Sequence, residues 1–273
     1  MNLLETVEKL KNQGYNEANA QARVCQDIIL NGIAKGNLSR NVTIKGGVVM
    51  RNLSKDTRRA TQDIDLDFIK YSISESAIEL FIGHLELPEN LKITIRYPIQ
   101  ELNHKDYKGK RVFVEIRDDY ENLLISKIDI GVHKDLEIEQ EEYCFDICFQ
   151  EDGASLLMNS REQIIAEKLK SFLRFGIRST RYKDVFDLSY LTKEADCKKL
   201  LKCIRKYIYE DTTLPVNDIN EIEQRIERVF ENPMFIQSVI RSEKNWMDIS
   251  AEEALQSDIA FLKSLQNISE DAA

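Results

Sequence analysis

Asp63-Ile64-Asp65-Leu66-Asp67-Phe68 alternates acidic with apolar side chains, the period-two pattern of a strand with one buried face. The three carboxylates then leave the same face, within reach of a shared divalent cation, while Ile64, Leu66 and Phe68 point into a core. Just upstream, Asn41 to Lys45 reads as a short strand, Gly46-Gly47 as a turn and Val48 to Lys55 as a helix. A glycine turn opening a helix offers unpaired backbone N–H groups and the positive end of the helix dipole, which suits phosphate. A phosphate seat and an acidic strand so close in sequence predict nucleotide chemistry.

The rest of the chain sets the frame. At 273 residues, 42% hydrophobic and 31% charged, it is long and apolar enough for one large or two modest cores. No window approaches the roughly 18 uncharged apolar residues of a membrane span. Met1 to Leu10 carries Glu5, Glu8 and Lys9 in place of a signal-peptide core, so a cytoplasmic protein without membrane attachment is expected. The five cysteines (Cys25, Cys144, Cys148, Cys197, Cys203) and three histidines (His84, His104, His133) lack zinc-ligand spacing, which predicts reduced, mostly buried thiols. The net charge of −9 argues against a general nucleic-acid binder. Arg161 to Lys206 runs the other way, with thirteen Lys or Arg against six Asp or Glu. That stretch reads either as a phosphate-attracting surface or as solvated helix.

Residues 1 to about 36 read as helical, with Gly36 as the stop. Strands follow near Ile93–Tyr97, Arg111–Ile116, Leu123–Val132 and Tyr143–Phe149, with a helix at Glu75 to Leu85 between them. Past Gly153 the pattern turns helical and stays so. Ser160 with Gln163 is a capping-box signature ahead of Ile164, Ile165, Leu169, Phe172 and Leu173. A second helix starts near Tyr182, and later ones cover about Lys198–Glu210, Asn217–Phe230, Pro233–Ser242 and Ala251–Leu265, with Leu214-Pro215 as a break. The expected fold is α+β: a mixed sheet with helices over residues 1–153, then a helical domain over 154–273, with a cleft between them.

Asp63 and Asp65 are the first candidates for binding Mg²⁺ or Mn²⁺, which prefer carboxylate and phosphate oxygens. A third acid usually completes such a site. Asp129, flanked by Ile128 and Ile130 in a predicted strand, is preferred, and Asp67 competes with it. Glu167-Lys168-Leu169 and Arg181-Tyr182-Lys183-Asp184-Val185-Phe186-Asp187-Leu188 form a third constellation. Lys168 is placed on the opposite side of its helix from Phe172. Lys183, Asp184 and Asp187 are placed on the polar side of theirs, as phosphate-neutralising cations with their acids or as a salt-bridge lattice. Arg51, one turn past the glycine pair, reads as a phosphate contact or as surface.

Lys45-Gly46-Gly47, Asp63-Ile64-Asp65-Leu66-Asp67, Glu167-Lys168-Leu169 and Arg181-x-Lys183-Asp184-x-x-Asp187-Leu188 together resemble the nucleotidyltransferase AbiEii/AbiGii toxin family, within the polymerase-beta-like nucleotidyltransferase superfamily. The motifs cover residues 40 to 192. The resemblance implies a nucleotidyltransferase core followed by a helical domain. It implies that Gly46 and Gly47 hold the triphosphate of an NTP, that Asp63 and Asp65 bind Mg²⁺, and that Asp129 is the third acid. Lys168 matches a motif associated with the nucleotide; Lys183, Asp184 and Asp187 match one important for toxicity. Family members are toxins of bacterial toxin–antitoxin or abortive-infection systems, which implies a cognate antitoxin. Some transfer nucleotides to the 3′ acceptor end of tRNA. Relatives often carry Thr or Ser after the glycine pair, where this chain has Val48. A small-molecule or protein acceptor, or a catalytically silent binding module, is the alternative.

Overall fold

The computed structural model describes residues 1–103 and 108–270, so His104 lies outside the described residues. The chain divides into two compact units, Met1–Asn159 and Ser160–Ala273.

Unit one is built on a mixed sheet. Its strands are β1 (Val42–Lys45), β2 (Ile64–Phe68), β3 (Leu91–Ile95), β4 (Gln100–Asn103), β5 (Lys108–Asp118), β6 (Leu123–Val132), β7 (Glu141–Phe145) and β8 (Ala154–Met158). Their order is β3-β5-β6-β2-β1-β8-β7, and β4 also pairs with β5. β2 runs parallel to β6 and β1 parallel to β8, and the other pairs are antiparallel. Alternation decides which face is buried: Ile44, Ile64, Leu66, Phe68, Ile128 and Ile130 are wholly inaccessible. Phe81 of α4 (Glu75–Gly83) covers Phe68 edge-on, with ring centroids 5.0 Å apart.

Residues 1 to 36 are helical as expected, in two helices, α1 (Leu3–Asn12) and α2 (Glu17–Lys35): Asn16 starts the second as an N-cap whose side chain accepts from Asn19 N at 2.9 Å, and Gly36 caps its end. Two expectations fail in this unit. The helical reading past Gly153 fails at β8. Ala154-Ser155-Leu156-Leu157-Met158 buries alternate residues and lies between β1 and β7, parallel to β1, a partner that so short a segment does not reveal. Gly46 and Gly47 are also not a turn before a helix: they are the first two residues of α3 (Gly46–Ser54).

Unit two is helical: α5 (Arg161–Phe175), α6 (Lys183–Leu191), α7 (Cys197–Ile204), α8 (Ile219–Phe230), α9 (Pro233–Arg241) and α10 (Ala251–Glu270). Ser160 caps α5 as its sequence predicts, its Oγ accepting from Gln163 N at 3.1 Å. The helix expected to run on to Glu210 ends in a π-turn at Arg205–Tyr209. Phe172, Phe230 and Phe235 form the aromatic centre, with ring centroids 5.1 to 6.1 Å apart. The fold is thus α+β, with a sheet-based unit followed by a helical one.

Asp258 of α10 contradicts the logic of this core. It is buried, and neither carboxylate oxygen has a hydrogen-bond partner. Desolvation pushes its carboxyl well above the usual range. A carboxyl raised in the folded state costs nothing below its unfolded pKa of about 4, and stability is lost as the pH climbs from there towards the raised value. Asp258→Leu is therefore expected to stabilise unit two by about 1–3 kcal/mol at pH 7, with the gain fading towards pH 4. Denaturant melts at both pH values, followed through the lone tryptophan, Trp246, check this.

The cysteines are all free, but only Cys25 and Cys203 are buried, while Cys144 is exposed and Cys148 and Cys197 are half-buried. The expectation of mostly buried thiols therefore holds for Cys25, where burial pushes the thiol up to about 12, and for Cys203. No helix among the described residues is long and apolar enough to cross a membrane.

Candidate functional site

Strand register assembles the acidic face. Lys45 of β1 pairs with Asp65 of β2, Asp65 with Asp129 of β6, and Asp129 with Arg111 of β5. One row across four strands therefore reads Lys45, Asp65, Asp129, Arg111, all on the face opposite the buried isoleucines. In the next row Thr43, Asp67 and Gly131 are partners. Asp63 precedes β2 by one residue, a strand repeat before Asp65.

The glycine pair lets this face meet the start of α3. Gly46 has φ +66°, and a Cβ there would lie 2.3 Å from Asp65 Oδ2. A Cβ on Gly47 would lie 2.4 Å from Thr61 Oγ1. Both residues lack a side chain because β2 and the loop before it pack against the helix's first turn. Val48 is fully buried, so the position after the glycines faces the core. The hydroxyl beside the pair is that of Thr61.

Each of three acids already holds a cation. Arg111 grips Asp129 with both arms of its fork, Nε to Oδ1 and Nη2 to Oδ2, each at 2.8 Å. Asp129's hydrogen bond is the main reason that the guanidinium pKa is raised, with Asp63 and Asp65 adding to it. Lys127 Nζ lies 2.7 Å from Asp63 Oδ2, and Lys45 Nζ lies 2.6 Å from Asp67 Oδ1. Among the described residues no three His, Cys, Asp or Glu side chains converge as a metal cluster. The donor chemistry still fits a hard divalent cation: Asp65 and Asp129 are register partners, Asp63 follows the same face, and all offer carboxylate oxygens. Ion pairing is what separates Asp63 and Asp129 from a ligand set.

Arg51 belongs elsewhere. It is 3% exposed and donates from Nη2 to Asp27 Oδ1 at 2.8 Å, while its Nε and Nη1 have no hydrogen-bond partner. Neither a surface position nor a phosphate contact describes it, because α2 supplies a fully buried carboxylate that the local sequence around Arg51 does not announce.

Unit two brings Lys168, Asp184 and Asp187 together. Lys168 Nζ donates to Asp184 Oδ1 at 2.5 Å and to Asp187 Oδ2 at 2.8 Å. Trp246 Nε1 donates to the other oxygen of Asp187 at 3.0 Å. Asp187 is fully buried and Lys168 only 8% exposed. Two sequence expectations are corrected here. Lys168 lies one turn before Phe172, on the same buried side of α5, since residues four apart share a helix face. Asp187 is likewise interior, not on a polar side. Lys183 is the first residue of α6, and Arg181 reaches Asp184 Oδ2 at 3.4 Å. The basic surplus of residues 161–206 is partly met locally: Lys170 and Arg174 both pair with Asp211, and Arg161 pairs with Glu194.

Sequence reasoning missed Thr61, Arg111, Lys127 and Trp246. Arg111 alternates with Val112 and Val114 like any outward strand residue, and only register pairs it with Asp129. Trp246, the lone tryptophan, sits between helices where no periodicity marks it.

Set against known families, the profile described as nucleotidyl transferase AbiEii toxin, type IV TA system, matches residues 28–259. A search of curated proteins finds no match.

Proposed function

The chain belongs to the nucleotidyl transferase AbiEii toxin family of type IV toxin–antitoxin systems, and from that premise we propose that it transfers a nucleotide from an NTP to an acceptor hydroxyl. The observation that carries this reading is the register of Asp65 with Asp129 beside the glycine start of α3. In the proposed reaction the acceptor oxygen forms a bond to the α-phosphorus and the bond to the leaving pyrophosphate breaks. The hydroxyl proton passes to Asp129 and then to solvent. The first N–H groups of α3, at Gly46 and Gly47, receive the triphosphate. Asp63 and Asp65 hold Mg²⁺ or Mn²⁺, with Asp129 as the third carboxylate. When bound, such a cation offsets phosphate charge and activates the attacking oxygen. Lys168, Lys183, Asp184 and Asp187, which the resemblance ties to the nucleotide and to toxicity, are the proposed functional residues of unit two. Lys168 serves the fold first, through its two carboxylates.

The proposed acceptor is an RNA 3′ end, with a tRNA as the first to try, and the proposed partner is a cognate antitoxin that relieves growth arrest. Purified protein, Mg²⁺, each labelled NTP and total RNA test this directly. Label in RNA supports the reading. Label in a small molecule or in protein moves the acceptor to that class, and no transfer with any of the four nucleotides counts against the enzyme altogether. Acceptor affinity should also fall steeply with salt if the acceptor is nucleic acid. The ion pairs on Asp63 and Asp129 favour one second reading, a binding module without transfer. Nucleotide affinity indifferent to divalent cations would support it.

A further inference from the structure

Arg111 and Lys127 occupy the carboxylates that the proposed reaction needs for a cation. Both oxygens of Asp129 accept from Arg111, and Asp63 accepts from Lys127. A divalent cation has to compete with these side chains for the same carboxylate charge. The charges suggest an exchange: the ion brings two positive charges to a face where these two acids are already matched by one guanidinium and one ammonium. The exchange is also cheap in structure. Side-chain exposures of 29% for Arg111, 14% for Asp129, 25% for Lys127 and 44% for Asp63 put all four near solvent, so re-aiming them opens no core. The fork that grips a carboxylate bidentately matches phosphate oxygens equally well.

We propose that Arg111 and Lys127 have two successive partners: they close the carboxylate site in the cation-free protein, and once a divalent cation takes Asp63 and Asp129 they turn to the nucleotide's phosphates. The idea rests on the nucleotidyl-transfer reading and adds two substrate-contacting residues to it. It also orders the events, because a nucleotide arriving with its own divalent cation both frees the two side chains and supplies their next partner. Cation-free protein then holds nucleotide poorly for two reasons, the missing ion and the engaged Arg111.

Mn²⁺ binding without nucleotide, followed by the EPR signal of the free ion, tests the first half independently of turnover. Arg111→Gln is expected to tighten Mn²⁺ binding about tenfold, in line with the loss of a partly buried charge-assisted pair. Arg111→Lys, which keeps the charge but loses the fork, should fall between Gln and wild type. At saturating Mn²⁺ the same Arg111→Gln protein should bind its NTP about tenfold more weakly, since one phosphate contact is gone. Unchanged or weaker Mn²⁺ binding by Arg111→Gln overturns the proposal, and unchanged NTP affinity overturns its phosphate half. Asp65→Asn separates this from failure of the underlying reading. If Asp65→Asn loses Mn²⁺ while Arg111→Gln behaves as wild type, only the exchange falls. If wild type and Asp65→Asn take up Mn²⁺ alike, the carboxylate site itself falls, and the exchange with it. Thermal melts of each variant confirm that the fold is retained.

Discussion

Asp65→Asn is expected to lower nucleotide transfer by about 10²–10³-fold, the scale seen when a single group that meets transition-state charge is removed, while leaving the melting temperature close to wild type. The substitution keeps shape. The Asn side chain has the size to fill the space against Gly46, where a Cβ on the glycine would lie 2.3 Å from Asp65 Oδ2. What is lost is a formal charge beside Asp129, its register partner on the next strand. Asp67→Asn serves as the contrast. Asp67 is 7% exposed and accepts from Lys45 at 2.6 Å, so its loss weakens an ion pair in the sheet without removing a proposed cation ligand. Stability should fall and transfer should persist. Single-turnover rates beside thermal melts for the two variants measure both effects. An Asp67→Asn protein as inactive as Asp65→Asn, with an unchanged melt, would move the proposed third carboxylate from Asp129 to Asp67.

Lys168→Met is expected to destabilise unit two by about 3–5 kcal/mol, the range for removing one partner from a buried ion pair. Asp187 is wholly buried and would lose its ion pair while keeping the indole N–H of Trp246, and Asp184 would retain the 3.4 Å contact from Arg181. The loss of toxicity expected from such a variant therefore says little about catalysis on its own. Lys168→Met with Asp187→Leu tests this: removing both ends of a buried pair is often near neutral, so the double variant should recover much of the stability. Trp246 fluorescence in a denaturant titration reads the transition where the change is made. If the single variant melts like wild type, Lys168 is free for a chemical role and the structural account fails.

The legibility of this molecule followed the range of its interactions. β2 was readable because alternation is local: Ile64, Leu66 and Phe68 face inward whatever they pair with. The cap at Ser160 was readable for the same reason. Arg111 on Asp129 was not, because it depends on which residues of β5 and β6 stand opposite each other. β8 is not legible because a five-residue segment, Ala154 to Met158, becomes a strand only when β1 is there to receive it. Lys168 was misplaced by a helical-face error, although its spacing of four from Phe172 already puts the two on one side. The salt-bridge lattice that the sequence offers for this constellation is what the structure has, with Lys168 bonded to both Asp184 and Asp187, while nothing in the sequence points to Trp246. The glycine pair reads from the sequence as a phosphate seat. Its fit against Asp65 and Thr61 needed the folded chain.

The parallel pairings of the sheet have a consequence for synthesis. Asp65 must wait for Asp129, and β1 is flanked on its far side only when Leu157 arrives beside Thr43. Contacts so distant along the chain form late and slowly. A ribosome adding about 5–20 residues per second takes on the order of ten seconds to travel from one member of these pairs to the other. Throughout that interval the acidic strand has β1 on one side, already synthesised, and lacks β6 on the other. On the proposed reading the carboxylate row is incomplete until Asp129 has been added, so a message cut short before that codon yields a chain with every carboxylate of the acidic strand and no third acid opposite Asp65.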